Sequence, residues 1–377
     1  SWGTQPPPFK DNPNAEKIAL PKVSRREGMS LEAAIARRRS VRDYADGALS
    51  LEELARLHGY DNIPATLPRA DLAMLPEPER ERRLGEIRQT LVARDFQEVI
   101  NYAFVDAEWE ADFCANPCPV ALKNPIASKM GVMRSSLAGG LIQCLRFNIN
   151  RRQGRVRLFE VGRVFSREGE GYAQPEMLGG LIFGDSLPEQ WGVEARQADF
   201  FDLKGDLQAL FWPRSVRLEK VSHPALHPGR AARVHADGRA IGWMGELHPR
   251  WLQKYELPLT PILFELDLGA MCGRDLPVAA EISKFPPVRR DIAVLVDEKV
   301  EVQALLDALM AAKTPVVSEI ALFDQYRGQG VEKGKKSLAF RVLLQDTQKT
   351  LTDTEIDAVI ALLVGVLQHQ YQAKLRT

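Results

Sequence analysis

Between Ser128 and Phe165 the chain reads SKMGVMRSSLAGGLIQCLRFNINRRQGRVRLFEVGRVF. This stretch restricts the fold because it changes from helical to extended periodicity across one short connection. Leu137, Leu141, Ile142, Leu145 and Ile149 recur at helical spacing and predict a helix with one buried face. Ser136, just ahead of that run, can cap the free N–H groups of the first turn, so the helix is expected to begin there. Gly139–Gly140 inside it predicts close packing against another backbone. Asn148, Asn150, Arg151, Arg152 and Gly154 form a polar exit, and Val156–Phe165 then predicts a strand.

The C-terminal part carries a second pattern. Arg290–Val296 predicts a strand, and Val302–Ala312 a helix with Leu305, Leu306 and Leu309 inside. Val316–Tyr326 and Ser337–Leu344 predict two more strands, joined by a turn at Arg327–Gly330. Thr352 or Asp353 is expected to cap a long helix with Ile356, Val359, Ile360, Leu363 and Leu367 on one face. Ala373–Leu375 is a short last strand. The order βαββαβ is the ferredoxin-like layout. Ahead of it, residues 272–282 read as a linker. Met177–Gly184 and Pro261–Met271 read as strands, and Asp237–Gly238 as the turn of a β-hairpin. A charged helix through Leu84, Ile87, Leu91 and Val92 leads to a strand expected at Val99 and Tyr102–Val105.

Charge limits how such a chain meets nucleic acid. Formal net charge is +0 over 377 residues, so any RNA contact must come from a local patch. From Ser283 to Thr377 there are 13 Lys and Arg against 12 Asp and Glu, but Arg327, Lys333, Lys335, Lys336 and Arg341 cluster near one hairpin. Phe323 and Tyr326 lie close by. A ferredoxin-like sheet can stack single-stranded bases on aromatics and hold phosphates with cations. The alternative is a hairpin made soluble by its lysines.

At 45% hydrophobic and 27% charged, the chain has the profile of a soluble globular protein of two or three domains. Cys114, Cys118, Cys144 and Cys272 are scattered, and the C-x₃-C pair has no partner set for zinc. A reduced cytoplasmic protein is expected. His223, His227 and His248 each precede a proline and read as turn residues rather than metal ligands. No apolar run approaches the ~20 residues of a membrane helix, and SWGTQPPPFK lacks the apolar core of a signal peptide. No Ser/His/Asp or Cys/His set stands out for nucleophilic catalysis.

Several segments resemble one family, in that family's order. MRSSLAGGLIQCLRFNINR followed by RLFEVGRVF, VALKNPIASKMGVMR, the D-F-x-x-x-K-G match at Asp199–Gly205 and HPGRAARVHADGRAIGWMGELHP are similar to the bacterial phenylalanyl-tRNA synthetase β subunit. SKFPPVRRDIAVLVDEKV, LFDQYRGQGVEKGKKSLAFRVLLQD, TLTDTEID and AKLR resemble its ferredoxin-fold anticodon-binding domain. Asp95 stands where that family usually has glycine. The resemblance implies an α+β chain: a class II aminoacyl-tRNA synthetase-like antiparallel sheet domain over residues 65–275, then the ferredoxin-like βαββαβ domain over 283–377. It also implies a phenylalanine-tRNA ligase acting as an α₂β₂ heterotetramer, in which the α subunit binds ATP and does the chemistry and this chain contacts tRNA(Phe). By position Arg157 and Arg163 are the candidates for class II ATP arginines, since a guanidinium suits phosphate. The pocket itself is missing in the β subunit, so the domain is expected to be a scaffold without catalytic residues. Proofreading is not expected of this chain.

Residues 1–64 read as an extended arm with short helices, at SLEAAIARRR and again at Ser50–Leu57. Arg37–Arg39 is either a phosphate contact or a solvated helix end. Two resemblances compete here. LEAAIARRRSVRDYADGALSLEELARL is similar to the start of a flavin-dependent nitroreductase, in which Arg38, Arg39, Ser40 and Arg42 would meet the flavin phosphate. LEELARLHGYDNIP instead resembles the end of the β-subunit domain preceding the synthetase-like one. That likeness implies a Mg²⁺ shared with the α subunit at Asp43, Glu52 and Glu53, with Leu49 in place of a fourth acid, a loss that weakens an oxygen-ligand site. The first residues accordingly read as foreign to the synthetase family. A flavin oxidoreductase and a stand-alone synthetase-like RNA-binding module remain alternative functions.

Overall fold

The structure, a computed structural model, describes residues 51–64, 79–169, 171–279 and 281–376. The chain divides into two units, residues 1–77 and 78–377. In the first, helix α1 (Leu51–His58) is followed by a 3₁₀ turn at Tyr60–Asn62. The expected helix at 30–39 and the phosphate candidates Arg37–Arg39 and Arg42 lie outside the described residues.

The second unit begins with α2 (Leu84–Val92), which buries Ile87 and Leu91 and leaves Val92 exposed. Asp95 adopts φ 66°, a left-handed conformation that favours glycine. The strand expected at Val99 and Tyr102–Val105 is divided. β1 (Gln97–Glu98) joins the main sheet, and β2 (Phe104–Val105) pairs apart from it with β3 (Val132–Met133).

α3 (Ala138–Ile149) and β4 (Val156–Arg163) realise the helix-to-strand stretch. A hairpin of β5 (Ser166–Glu168) and β6 (Gly171–Ala173) precedes β7 (Glu176–Phe183) and α4 (Phe200–Phe211). Asp199 caps α4 by accepting from the N–H groups of Phe201 and Asp202 at 2.8 and 3.1 Å. β8 (Val216–Lys220), β9 (Leu226–Ala236), β10 (Arg239–Leu247) and β11 (Ile262–Asp267) complete a seven-stranded sheet ordered β1-β4-β7-β11-β10-β9-β8. Only β1 runs parallel to its neighbour. The β9–β10 turn has positive φ at both Asp237 and Gly238, as a two-residue hairpin turn requires.

Strand alternation sends neighbouring residues to opposite faces. Phe159 and Phe264 pack with Ile87 and Leu207 on the side of α2 and α4. Leu158 and Leu263 pack with Leu137, just ahead of α3, and with Leu141 and Leu145 of α3 on the other. Gly139 and Gly140 do pack closely, but against the side chains of Trp109 and Asn101 rather than a backbone.

The M-R-S-S-L and F-E-V-G motifs form one buried polar network. Arg134 pairs with Glu160 at 2.7 Å, and Asn101 Nδ2 donates to the same carboxylate at 2.6 Å. Gly162 leaves room for the guanidinium, which a Cβ there would strike. Ser135 N donates to Glu110, and Ser136 Oγ and Leu137 N both donate to Glu265. Ser136 therefore spends its hydroxyl hydrogen on a strand across the sheet, while its oxygen accepts from Ala138 N at 3.1 Å.

The stretch 272–282 is partly tied down: Arg82 N donates to Cys272 O, and Arg274 N to Arg80 O. Beyond it lie β12 (Val288–Asp297), α5 (Val302–Ala312), β13 (Val317–Tyr326), β14 (Lys335–Leu344), α6 (Asp353–Tyr371) and β15 (Lys374–Leu375). Thr352 and Glu355 form a capping box at the start of α6. The sheet order β13-β14-β12-β15 is antiparallel throughout. Both helices cover one face, closing a core that includes Ile292, Val294, Leu309, Phe340, Val342 and Leu363. An ion pair between Arg217 of β8 and Asp307 of α5 links the two sheets' regions.

Candidate nucleic-acid interface

The uncovered face of the four-stranded sheet is built by alternation. On β14, Leu338, Phe340 and Val342 point to the helices, so Ser337, Ala339 and Arg341 point away from them. Register places Leu295, Ala293 and Asp291 of β12 beside those three, and Tyr326, Asp324 and Ala321 of β13 on the other side. The middle of this face is thus small side chains, low enough for a flat ring to approach.

Two aromatic side chains stand on it, each with a guanidinium. A register shift between Leu322 and Asp324 accompanies Phe323, which is 49% exposed with the Arg289 guanidinium 5.6 Å from its ring centre. Tyr326 has the Arg376 guanidinium 5.0 Å from its ring centre and donates through its hydroxyl to Gln329 O at 3.3 Å. Arg376 also donates to Ser337 Oγ at 3.1 Å and has no carboxylate partner among the described residues. Arg289 shares its charge with Asp291 at 3.0 Å. Cations over rings in this way also suit stacked bases.

The five cations clustered near the hairpin differ in exposure and pairing. Arg327 pairs with Glu298 at 2.6 Å, Arg341 with Glu319 at 3.0 Å, and Lys335 with Glu332. Lys336 lies on the helix-facing side of β14, 6% exposed, and its ammonium donates to Glu298 O at 3.0 Å. Burial pushes that amine below its ordinary range. Lys333 is exposed, and no ion pair forms on it among the described residues. Arg289 and Arg376 were not among the sequence candidates. The signal for Arg289 was alternation on β12; Arg376, one residue past β15, carried none and is placed by the bond from its N–H to Ala293 O.

The synthetase-like domain holds neither ATP arginine free. Arg157 points to the α2 and α4 side, over the Phe96 ring, and shares Asp206 with Arg94. Arg163 pairs with Glu176 at 3.3 Å. For the metal candidates, Asp43 lies outside the described residues, and Glu53 lies on α1 with its side chain outside them. Glu52 is exposed and pairs with Arg56 one turn on at 2.7 Å. No group of three metal-ligating side chains occurs among the described residues, so no Mg²⁺ fit is visible there.

The family model for the phenylalanyl tRNA synthetase beta chain CLM domain matches residues 63–268, more than half of the chain. The chain belongs to the phenylalanyl-tRNA synthetase β-chain family. The ferredoxin-fold anticodon binding domain matches residues 283–376, the region of the four-stranded sheet. The phenylalanine–tRNA ligase beta subunit of Nitrosospira multiformis is 55% identical over 327 residues, 87% of this chain and 41% of that protein. That of Dechloromonas aromatica is 53% identical over 334 residues, 86% of this chain and 42% of that protein. The chain therefore spans about two fifths of the length of these relatives. The α+β class with a ferredoxin-like domain stands, and the β-subunit reading is supported over the flavin-dependent alternative. Among the described residues no helix is long and apolar enough to cross a membrane.

Proposed function

We propose that the chain acts within phenylalanine-tRNA ligase as a component without catalytic residues. In this reading the seven-stranded domain packs on an α subunit that binds ATP, and the four-stranded sheet contacts tRNA(Phe) in an α₂β₂ assembly. The observation that carries the RNA contact is the open sheet face, with Phe323 and Tyr326 each under a guanidinium. Arg327, Lys333, Lys335 and Arg341 rim that face and steer phosphates, while Lys336 supports the sheet from inside. A Mg²⁺ at Asp43, Glu52 and Glu53 requires Glu52 to leave Arg56, and no step is assigned to it. Cytoplasmic residence goes with this role.

Binding of tRNA(Phe) to the full chain, read by fluorescence anisotropy across a salt series, tests the contact. Phe323→Ala or Tyr326→Ala is expected to weaken binding by about 1–3 kcal/mol with little change in salt slope. Arg376→Ala is expected to flatten the log–log slope by about 0.7 for its one phosphate. Unchanged affinity in all three variants removes this face from the interface. Activation of phenylalanine is expected only when an α subunit is added, read by ATP–pyrophosphate exchange.

A further inference from the structure

The seven-stranded sheet has a feature that the RNA reading leaves unused. On its α3 side a cavity of about 740 Å³ is lined by Phe113, Cys114, Ser136, Arg167, Trp243 and Glu265, among others. That volume lies in the range of small-molecule sites. Glu265 is only 5% exposed, and its Oε2 takes both of its hydrogen bonds, from Ser136 Oγ and Leu137 N at 2.7 Å each. No donor among the described residues reaches Oε1, although the residue lines the cavity. The carboxylate is largely buried while Oε1 gives onto the cavity, an acceptor open to a donor that enters it.

The buried charge nearest to it is mostly negative. Glu110 is buried nearby, holding Ser135 N at 2.9 Å. Burial, then the Glu110 and Glu265 carboxylates, push the Cys114 thiol far above its usual range, so it stays a thiol without nucleophilic use. His223 is pushed down to about 4 by burial and is neutral, its ring 4.5 Å from that of Trp243. Arg134, whose charge also reaches Glu265, is committed to Glu160. Arg167, on the exposed strand β5, is the one Lys or Arg among the described lining residues. Trp243 adds an aromatic ring, the side chain best suited to hold a cation by its face.

We infer that this cavity binds a small-molecule primary amine, with its ammonium on Glu265 Oε1 and Trp243, and that Arg167 favours amines also bearing a carboxylate, the class of free α-amino acids. The ammonium supplies the donor that Oε1 lacks and the charge that the interior lacks. Burial raises the Glu265 carboxyl to about 7, so a bound cation stabilises its ionised form. The inference is independent of the RNA contact, which lies on the other sheet.

The test is calorimetric titration of the full chain, without any α subunit, at pH 8, using three probes: 2-phenylethylamine, L-phenylalanine and 3-phenylpropionate. Saturable binding of the two amines and none of the acid is expected. Glu265→Gln keeps an oxygen for Ser136 and Leu137 but loses the charge, and should weaken both amines at least tenfold. Arg167→Ala changes an exposed side chain, and should weaken L-phenylalanine several-fold while leaving 2-phenylethylamine unchanged. Absence of amine binding to the unsubstituted chain overturns the inference. So does equal binding of the acid, or undiminished amine binding by Glu265→Gln with an unchanged circular dichroism spectrum.

Discussion

The seven-stranded sheet is covered on both faces, whereas the four-stranded sheet is covered on one. The first carries charge in its interior as well as at its surface, and part of what it buries is paired: Arg134 with Glu160, and Arg157 with Asp206, which the partly exposed Arg94 also reaches. The second buries Lys336 under its helices and keeps the charges of its open side at the surface, where Arg327, Arg341 and Arg289 hold exposed carboxylates. Surface pairs are weak and exchangeable, and a phosphate can replace the carboxylate. Buried pairs are fixed, because removing one partner strands the other in a medium that cannot solvate it. The same residue types thus serve rigidity in one domain and, in the proposed RNA contact, recognition in the other.

The sharpest way to break that comparison is to truncate one arginine in each sheet. Arg134→Ala is expected to destabilise the chain by about 3–5 kcal/mol, because Glu160 is left buried without its partner. Arg341→Ala on the open face should cost about 0–1 kcal/mol. Chemical denaturation followed by circular dichroism measures both, and similar costs would refute the contrast.

Glu265 gives the next largest effect. Burial raises its carboxyl from an ordinary 4.5 to about 7. Between those values the folded state holds more proton than the unfolded state. Stability is therefore fully present below about 4.5, falls as pH rises towards 7, and levels off above. The total loss is on the order of 3 kcal/mol. Glu265→Gln removes this titration, so the variant should gain on the parent steadily from pH 5 to pH 8 in thermal melts. A constant difference across that range would place the titration elsewhere.

The smallest effect separates two lysines of one hairpin. Lys336→Ala should cost about 1–2 kcal/mol of stability, through a lost buried stem and the lost bond to Glu298 O. Lys333→Ala should stay within about 0.5 kcal/mol. If both leave stability alike, Lys336 faces outward and joins the residues proposed to meet phosphates.

Much of the architecture was legible in the sequence. Helical spacing located α3 and α6, the cap expected at Thr352 or Asp353 placed the start of α6, and βαββαβ order implied the ferredoxin-like sheet. These signals are local, set by side chains within a turn or two of each other. Element edges near Gln97–Val105 were not legible, because a two-residue strand carries too short a pattern to separate from a loop.

The sites depended on distance in the chain. Alternation along β14 divides its residues into two sets, and only the packing of α5 and α6 decides which set is covered. That choice buries Lys336 and leaves Arg341 on the open face. Sheet pairing brings Arg289 to Phe323 and Arg376 to Tyr326, and it carries Glu265 to Ser136 from 129 positions away. The sequence alone determined which segments become helix and strand, since that follows from local sterics and periodicity. Tertiary structure alone decided which charges are buried and paired and which remain exposed, since burial depends on what the rest of the chain lays over each face.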